Sequence, residues 1–408
     1  MIKYAFVGGI FTPTIKNMIE SSSRGVIQYA ADTLEKCYIE GLAHYVDDLI
    51  IFNLPFIGSY PRLSNIRVFK SQNEKLKYSS SICTCYNIGF NNFIAYKSIS
   101  RYRSLENALY KWVMDNQDEQ LCIIVYSAHT PFMKACSDLK CRFPNIKLIL
   151  IVPDLPEFMA HSSSLVMNAL RRVNVGLANE LYKNFDGFVF LSEQMKERIQ
   201  VSEERFEVIE GIYAKQFSQS VEHENSQDII YTGTLAARYG IMNLVKAFTL
   251  IKNSDARLII IGAGDSEDNI KDFSKNDSRI KYLGQMPREE VLKIQAKGAL
   301  LVNPRTSEGE FTKYSFPSKT MEYLASGVPT LINRLPGIPE EYYQYSFQPE
   351  NESIEALSKI ITEILNMPIS ERIEFGKKAQ EFIYKKKNPI SQCSKLVRLA
   401  ERICEFHM

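Results

Sequence analysis

The sequence predicts an α/β protein built from two doubly wound parallel sheets that face one another across a central cleft. Short apolar runs alternate with stretches of helical period along most of the 408 residues, the pattern of strands buried on both faces. The runs fall into two sets, parted by a polar stretch from Ala214 to Asp228 that holds few apolar residues. In the second set several strands run directly into glycine-bearing loops, at the edge where sheets of this kind bind ligands.

Tyr4 to Val7 reads as the first strand and Leu49 to Phe52 as the next. Between them Ile27, Ala30, Leu34, Tyr38 and Leu42 recur at helical spacing, which makes Arg24 to Tyr45 a crossover helix. Cys122 to Tyr126, Lys147 to Val152, Gly187 to Leu191 and Arg205 to Val208 complete the first set of strands. The second set is Ile229 to Thr232, Arg257 to Ile261, Ile280 to Leu283, Ala299 to Val302 and Pro329 to Ile332, with helices near Ile241 to Lys252, Pro287 to Ala296 and Pro317 to Ala325. The expected organisation is a first domain over 1–213, a linker over 214–228, a second domain over 229–388, and a terminal helix over 389–408 that packs back on the first domain.

Composition narrows the function. Lys+Arg 49 against Asp+Glu 47 gives a net charge of +2, so no global basic field proposes nucleic acid as a partner. The eight cysteines include no CxxC pair and read as reduced core thiols, and no His/Cys grouping has the spacing of a metal site. The N-terminus lacks the long apolar core of a signal peptide, and no run is long enough to span a membrane, which implies a cytoplasmic protein.

Gly8 and Gly9 follow the first strand, where a backbone free of side chains can approach a phosphate or simply turn. Ile10-Phe11-Thr12-Pro13 comes next instead of the third glycine and immediate helix of a dinucleotide fingerprint, which excludes a nicotinamide dehydrogenase. Thr232-Gly233-Thr234-Leu235 leads to Arg238, a guanidinium beside a strand-to-helix turn. Gly262 and Gly264 follow the next strand. Pro317 fits the first position of a short helix and Gly327 its stop, so Ser318 and Lys319 stand at a helix N-terminus whose free N–H groups suit a phosphate. Glu322, one turn on, either accepts two hydrogen bonds from a diol such as a ribose or pairs with Lys319. Asp154, in Val152-Pro153-Asp154-Leu155-Pro156-Glu157, ends a buried strand and either faces the cleft or caps a helix.

Taken together, the blocks Tyr231 to Leu235 with Arg238 and Gly240, Leu258 to Gly264, Arg279 to Gly284, Tyr314 to Gly327 and Gly337-Ile338-Pro339-Glu340 resemble the group 1 glycosyltransferases, above all members that build bacterial capsular and surface polysaccharides. That resemblance spans about residues 185 to 345 and is loose before them. It implies the GT-B fold of two Rossmann-like domains, a retaining transfer of sugar from a nucleoside diphosphate sugar, and a glycan or lipid-linked oligosaccharide acceptor, with no metal and no other cofactor. In those terms Arg238, Lys319 and helix N–H groups stabilise the departing diphosphate, Asp154 acts at the donor sugar or acceptor, and Gly8, Gly9, Thr234, Gly262, Gly264, Gly284, Tyr314, Pro317, Ser318 and Glu322 line the substrates. The family's acidic motif has two glutamates eight positions apart; Glu322 matches the second, and Tyr314 stands at the first. A nucleotide-sugar epimerase of the same architecture, or an inactive homologue acting as a binding or assembly partner, stays open beside the transferase. Lys385 to Lys387 reads as a solvated run or as a contact with anionic lipid at the inner membrane surface.

Overall fold

The computed structural model describes residues 2–78, 81–155, 157, 165–214 and 226–405. The chain divides into two compact units, Met1–Ile212 with Pro389–Met408, and Tyr213–Asn388. Of the predicted linker, residues 215–225 lie outside the described residues.

The first unit runs β1 (Ile2–Gly8), α1 (Pro13–Ser22), α2 (Tyr29–Tyr45), β2 (Ile50–Asn53), β3 (Val68–Phe69), β4 (Gln72–Lys77), β5 (Ile82–Asn87), β6 (Phe90–Asn91), α3 (Lys97–Met114), β7 (Gln120–Tyr126), α4 (Thr130–Arg142), β8 (Lys147–Val152), α5 (Leu165–Tyr182), β9 (Gly187–Phe190), α6 (Met195–Ile199) and β10 (Phe206–Val208). Its main sheet has the order β10-β9-β8-β7-β1-β2-β5-β4. Every adjacent pair is parallel except β4 with β5. Strands β3 and β6 pair antiparallel outside it. In the stretch from residue 68 to 91, β3 and β6 are two residues long and β4, on the sheet edge, carries Gln, Asn, Glu and Lys and buries little beyond Leu76, while β5 alternates buried and open residues in place of an apolar run.

The second unit runs β11 (Asp228–Thr232), α7 (Ile241–Thr249), β12 (Arg257–Ile261), α8 (Glu267–Asn276), β13 (Ile280–Tyr282), α9 (Arg288–Ala296), β14 (Leu300–Asn303), α10 (Ser318–Ala325), β15 (Thr330–Ile332), α11 (Ile354–Asn366) and α12 (Ile369–Lys386). Its five strands have the order β13-β12-β11-β14-β15 and are all parallel. The order reverses beside β11, so the loops after β11 and β14 diverge there.

The last helix, α13 (Pro389–Glu405), belongs to the first unit, with Leu396, Leu399 and Ala400 fully buried in the core that holds Tyr38, Leu42 and Ile124. Each buried leucine contributes roughly 1.5–3 kcal/mol. The approach of α13 to α2 depends on Gly41, where a Cβ would meet the Pro389 carbonyl at 2.2 Å and the Cys393 sulfur at 2.5 Å. All eight cysteines are free thiols, and only Cys141 is exposed. No described helix is long and apolar enough to cross a membrane.

Candidate active site

In the second unit the strand ends are tied loop to loop by their own backbone. Gly233 N–H donates to Ile261 O at 3.0 Å, Leu235 N–H to Ala263 O at 2.9 Å, and Gly262 N–H to Gly284 O at 2.9 Å. Gly262 has a φ of +145°, and a Cβ there would lie 1.8 Å from the Gly233 carbonyl oxygen. A Cβ on Gly264 would meet the Leu235 backbone at 2.5 Å. These glycines therefore permit the close packing of two loops against each other, which leaves the loop edge bare of side chains. Gly284 has a φ of +71° and no neighbour within 4 Å of its would-be Cβ, so its surroundings are open. Thr234 is exposed beside them, its carbonyl fixed by the Tyr231 hydroxyl at 2.8 Å.

Helix α10 follows the long loop after β14. The predicted start shifts by one residue: Pro317 is the N-cap, with a ψ of 104° that keeps it extended, and Ser318 is the first helical position. Gly327, at φ +79°, lies just past the C-cap Ser326. Thr320 N–H donates to the Pro317 carbonyl at 2.8 Å, and the Ser318 and Lys319 N–H groups have no carbonyl within the helix to bond. Lys319 Nζ lies 2.6 Å from Glu322 Oε1, Gln295 Nε2 donates to the same oxygen at 3.0 Å, and Arg288 stands 3.7 Å from Glu322 Oε2. Burial alone would raise the Glu322 carboxyl, but the Lys319 ammonium, with Gln295 and Arg288, holds it below the ordinary glutamate value. Glu322 is thus ionised and anchored at the mouth of the helix. Gln295 also reaches Thr232 Oγ1 at 2.7 Å, and Tyr323 OH bonds the Thr232 backbone, so α9 and α10 are fixed to the end of β11.

Arg238 is exposed on the turn Ala237–Tyr239, its guanidinium over the Tyr239 ring. Arg305, which sequence reasoning missed, also stands over that ring, 5.2 Å from its centroid, with Nη2 on Ser315 Oγ at 3.0 Å. Its Nε is buried without a hydrogen-bond partner. Burial first, then the neighbouring Arg238 charge, lowers its pKa. Only the position just after β14 could have signalled it. Tyr314 closes the 3-10 turn Glu310–Lys313, half-buried.

In the first unit Gly8 and Gly9 sit at the end of β1, but the structure gives their backbone another partner than a phosphate. Gly9 N–H donates to Glu35 Oε2 at 2.6 Å, and Phe11 N–H to Asp32 Oδ1 at 2.6 Å. A Cβ on Gly8 would lie 2.1 Å from Glu35 Oε2, and one on Gly9 would strike the Phe56 ring at 2.5 Å. The two glycines make room for a carboxylate and a ring, and the amide expected to meet an anion already meets an acid. Burial raises the Glu35 pKa well above its usual value, against the pull of the Gly9 hydrogen bond. Glu35 stands on the apolar face of α2, four residues before Ile39 and seven before Leu42; a charge at that position was the overlooked signal.

Around it lie Arg101, buried with its guanidinium over the Phe56, Phe90 and Phe132 rings, and His129, whose buried Nε2 has no hydrogen-bond partner and whose pKa burial pushes well down. Lys97 donates to the Ile57 carbonyl, and burial, with Arg101 nearby, lowers it to about 7. An unfolded lysine titrates near about 10.4, so between about pH 7 and 10 the unfolded chain binds the extra proton and stability rises with pH. Lys97→Met should flatten that rise, which urea midpoints at about pH 7 and pH 9.5 for both proteins would show. Asp154, just after β8, is open to solvent on one side and packed on the other, and that partial burial raises its pKa. A helix capped by Asp154 would begin at residue 155, and most of the residues that would form it, 156 and 158–164, lie outside the described residues.

Among the described residues no group of three or more His, Cys, Asp or Glu is arranged to hold a metal ion. Lys387 is buried, 2% exposed, with its Nζ 2.5 Å from Glu341, and Lys385 pairs with Glu381, so only part of the lysine run reaches the surface.

Residues 213–382 match the family model described as Glycosyl transferases group 1. No curated protein matches the chain by sequence. Among solved structures, the chain is similar to sucrose-phosphate synthase from Thermosynechococcus elongatus, at 14% identity and a TM-score of 0.60 over 98% of this chain and 99% of that one. It is similar to HepE from Anabaena in complex with UDP, at 13% identity and a TM-score of 0.59 over 98% and 99%. A mutant of S. aureus TarM in complex with fondaparinux, alpha-GlcNAc-glycerol and UDP aligns at 16% identity and a TM-score of 0.53, covering 76% of this chain and 59% of that chain. At such identities the likeness speaks for the fold alone. The chain has the GT-B fold of two Rossmann-like units, and its second unit carries the sequence pattern of the group 1 glycosyltransferases.

Proposed function

We propose that this protein is a retaining glycosyltransferase that moves a sugar from a nucleoside diphosphate sugar to a glycan or lipid-linked oligosaccharide in the making of a bacterial capsular or surface polysaccharide. The observation that carries the reading is the anchored Lys319–Glu322 pair at the N-terminus of α10, beside loops stripped of side chains at Gly262 and Gly264. A ribose diol that donates to Glu322 would take over part of the hydrogen bonding now supplied by Lys319, freeing the ammonium for the β-phosphate. As the bond from the anomeric carbon to the phosphate oxygen stretches, charge grows on the diphosphate, and Lys319, Arg238 and the first-turn N–H groups of α10 stabilise it where other enzymes use a divalent cation. Arg305, held against Tyr239, adds to the same field. Backbone near Gly262 to Asp265 and Gly284 is suited to the base, and Pro317, Ser318, Thr234 and Tyr314 to the phosphates and sugar. Asp154 is assigned to the donor sugar or the acceptor hydroxyl. The UDP held by HepE and TarM supports a nucleotide of this class.

Calorimetric titration with UDP, GDP and ADP, together with nucleoside diphosphate release measured with and without chelator, tests the proposal. One of the three should bind, and release from the donor sugar should proceed unchanged in chelator. Activity that disappears in chelator and returns with manganese would refute the metal-free mechanism. Tyr314 at the place of the first glutamate favours one other reading, a binding partner that holds nucleotide without turnover, and the same experiment would show it as affinity without release.

A further inference from the structure

The first unit carries a surface on which apolar side chains stand in solvent among cations. Three segments are stitched together there. Arg24 N–H donates to Leu63 O at 2.9 Å and Asn65 N–H to Ser22 O at 2.9 Å; Tyr60 N–H donates to Asn92 O at 2.9 Å, and Ile94 N–H to Tyr60 O at 3.2 Å. Strand β3 pairs with β6, which places Val68 beside Asn91. On this joined surface Val26 is 90% exposed, Ile94 65% and Val68 55%, with Leu63, Phe93, Tyr96 and Ile99 also in solvent. Tyr96, Ile99 and Arg103 follow one another at three and four residues, along one face at the start of α3.

The charge on the same surface is mostly of one sign, with Glu20, bonded by the Tyr29 hydroxyl at 2.8 Å, as the acid at its border. Residues 21–28, 57–70 and 88–103 contain no aspartate or glutamate. Between residues 49 and 105 stand eight Lys and Arg, of which Arg101 is buried and Lys97 half-buried, and one acid, Glu74, in a chain whose whole net charge is +2. Arg24, Arg62, Arg67, Lys70 and Arg103 are exposed. Isolated exposed aliphatics need no explanation, but a set gathered among so many cations does. Aliphatic groups gain by entering hydrocarbon, and arginine and lysine gain by lying at a layer of negative headgroups, so the two halves of this surface suit one partner.

We infer that this face of the first unit docks on an anionic lipid bilayer, with Val26, Leu63, Phe93 and Ile94 entering the headgroup boundary and Arg24, Arg62, Arg67 and Lys70 meeting phosphates. It differs from the lysine run at Lys385 to Lys387, whose last member is buried. The docking goes beyond the proposed transfer and stands without it.

Flotation of the full chain with vesicles of equimolar phosphatidylglycerol and phosphatidylcholine, against phosphatidylcholine alone, tests it. The protein should float with the anionic vesicles only, and less so at high salt. Val26→Glu with Ile94→Glu, both at exposed positions, should lower vesicle binding tenfold or more while leaving the melting temperature and nucleotide affinity unchanged. Arg62→Ser with Arg103→Ser should weaken binding and its salt dependence together, and Lys385→Ser with Lys386→Ser should not. The inference is overturned if the protein ignores anionic vesicles, if the Val26/Ile94 variant binds like the parent, or if that variant alters only self-association in sedimentation velocity. Unchanged nucleotide affinity in the variant keeps this result separate from that of the proposed activity.

Discussion

Glu322→Ala should raise the dissociation constant of the cognate nucleoside diphosphate by about tenfold or more. A buried hydrogen bond to a charged group is worth roughly 1.5–3 kcal/mol, and the proposed contact with a ribose diol is made alike in the ground and transition states. The substitution also strips Lys319 and Gln295 of the carboxylate that both now hold, at 2.6 Å and 3.0 Å, so the N-terminus of α10 loses its fixed geometry as well as a ligand contact. Asp154→Asn should fail in a different way. If Asp154 acts on the sugar or the acceptor hydroxyl, turnover should fall while nucleotide affinity stays near that of the parent. Titration calorimetry and turnover on both variants separate the two roles. Loss of nucleotide affinity in Asp154→Asn, with affinity kept in Glu322→Ala, would reverse the assignment.

Gly262→Ala should remove nucleotide binding altogether and destabilise the second unit by at least about 2 kcal/mol, since a non-glycine residue at strained φ costs about 1–3 kcal/mol before any clash. Here the added carbon would lie 1.8 Å from the Gly233 carbonyl oxygen, and neither backbone can yield without breaking the Gly233 and Gly262 hydrogen bonds that join three strand ends. Gly284→Ala is the matched comparison: its φ of +71° carries a left-handed cost of about 1 kcal/mol, with no neighbour to strike. Thermal unfolding of the two variants should therefore show a clear drop for the first and a small one for the second. Equal losses would mean that the loop packing at Gly262 is not what holds this edge.

Most strands of both sheets were readable because burial on both faces writes them as unbroken apolar runs; Lys147–Val152 and Arg257–Ile261 have the bounds their residues suggest, whereas β5, which alternates buried and open residues, was not read. The edge around β4 and the two-residue strands β3 and β6 were not readable, because a half-exposed strand and a bridge-length strand leave too short a pattern. At the candidate site, the local chemistry of α10 was legible: a proline start, a lysine and a glutamate one turn apart, and a glycine stop all act within a few residues.

What the sequence by itself determined is thus the α/β class, the parallel strands and the chemistry confined to single loops, since propensity, burial and helix periodicity act over short spans. Only the tertiary structure decided that Gly9 meets Glu35, that Arg305 joins Arg238 at Tyr239, and that Gln295 ties Glu322 to the end of β11. Each of these joins residues 26 or more positions apart, Arg305 and Arg238 included, and such meetings are set by how helices lie on the sheet rather than by any local pattern. The same reason hides the cationic apolar face of the first unit, which exists only once three separate segments are hydrogen-bonded side by side.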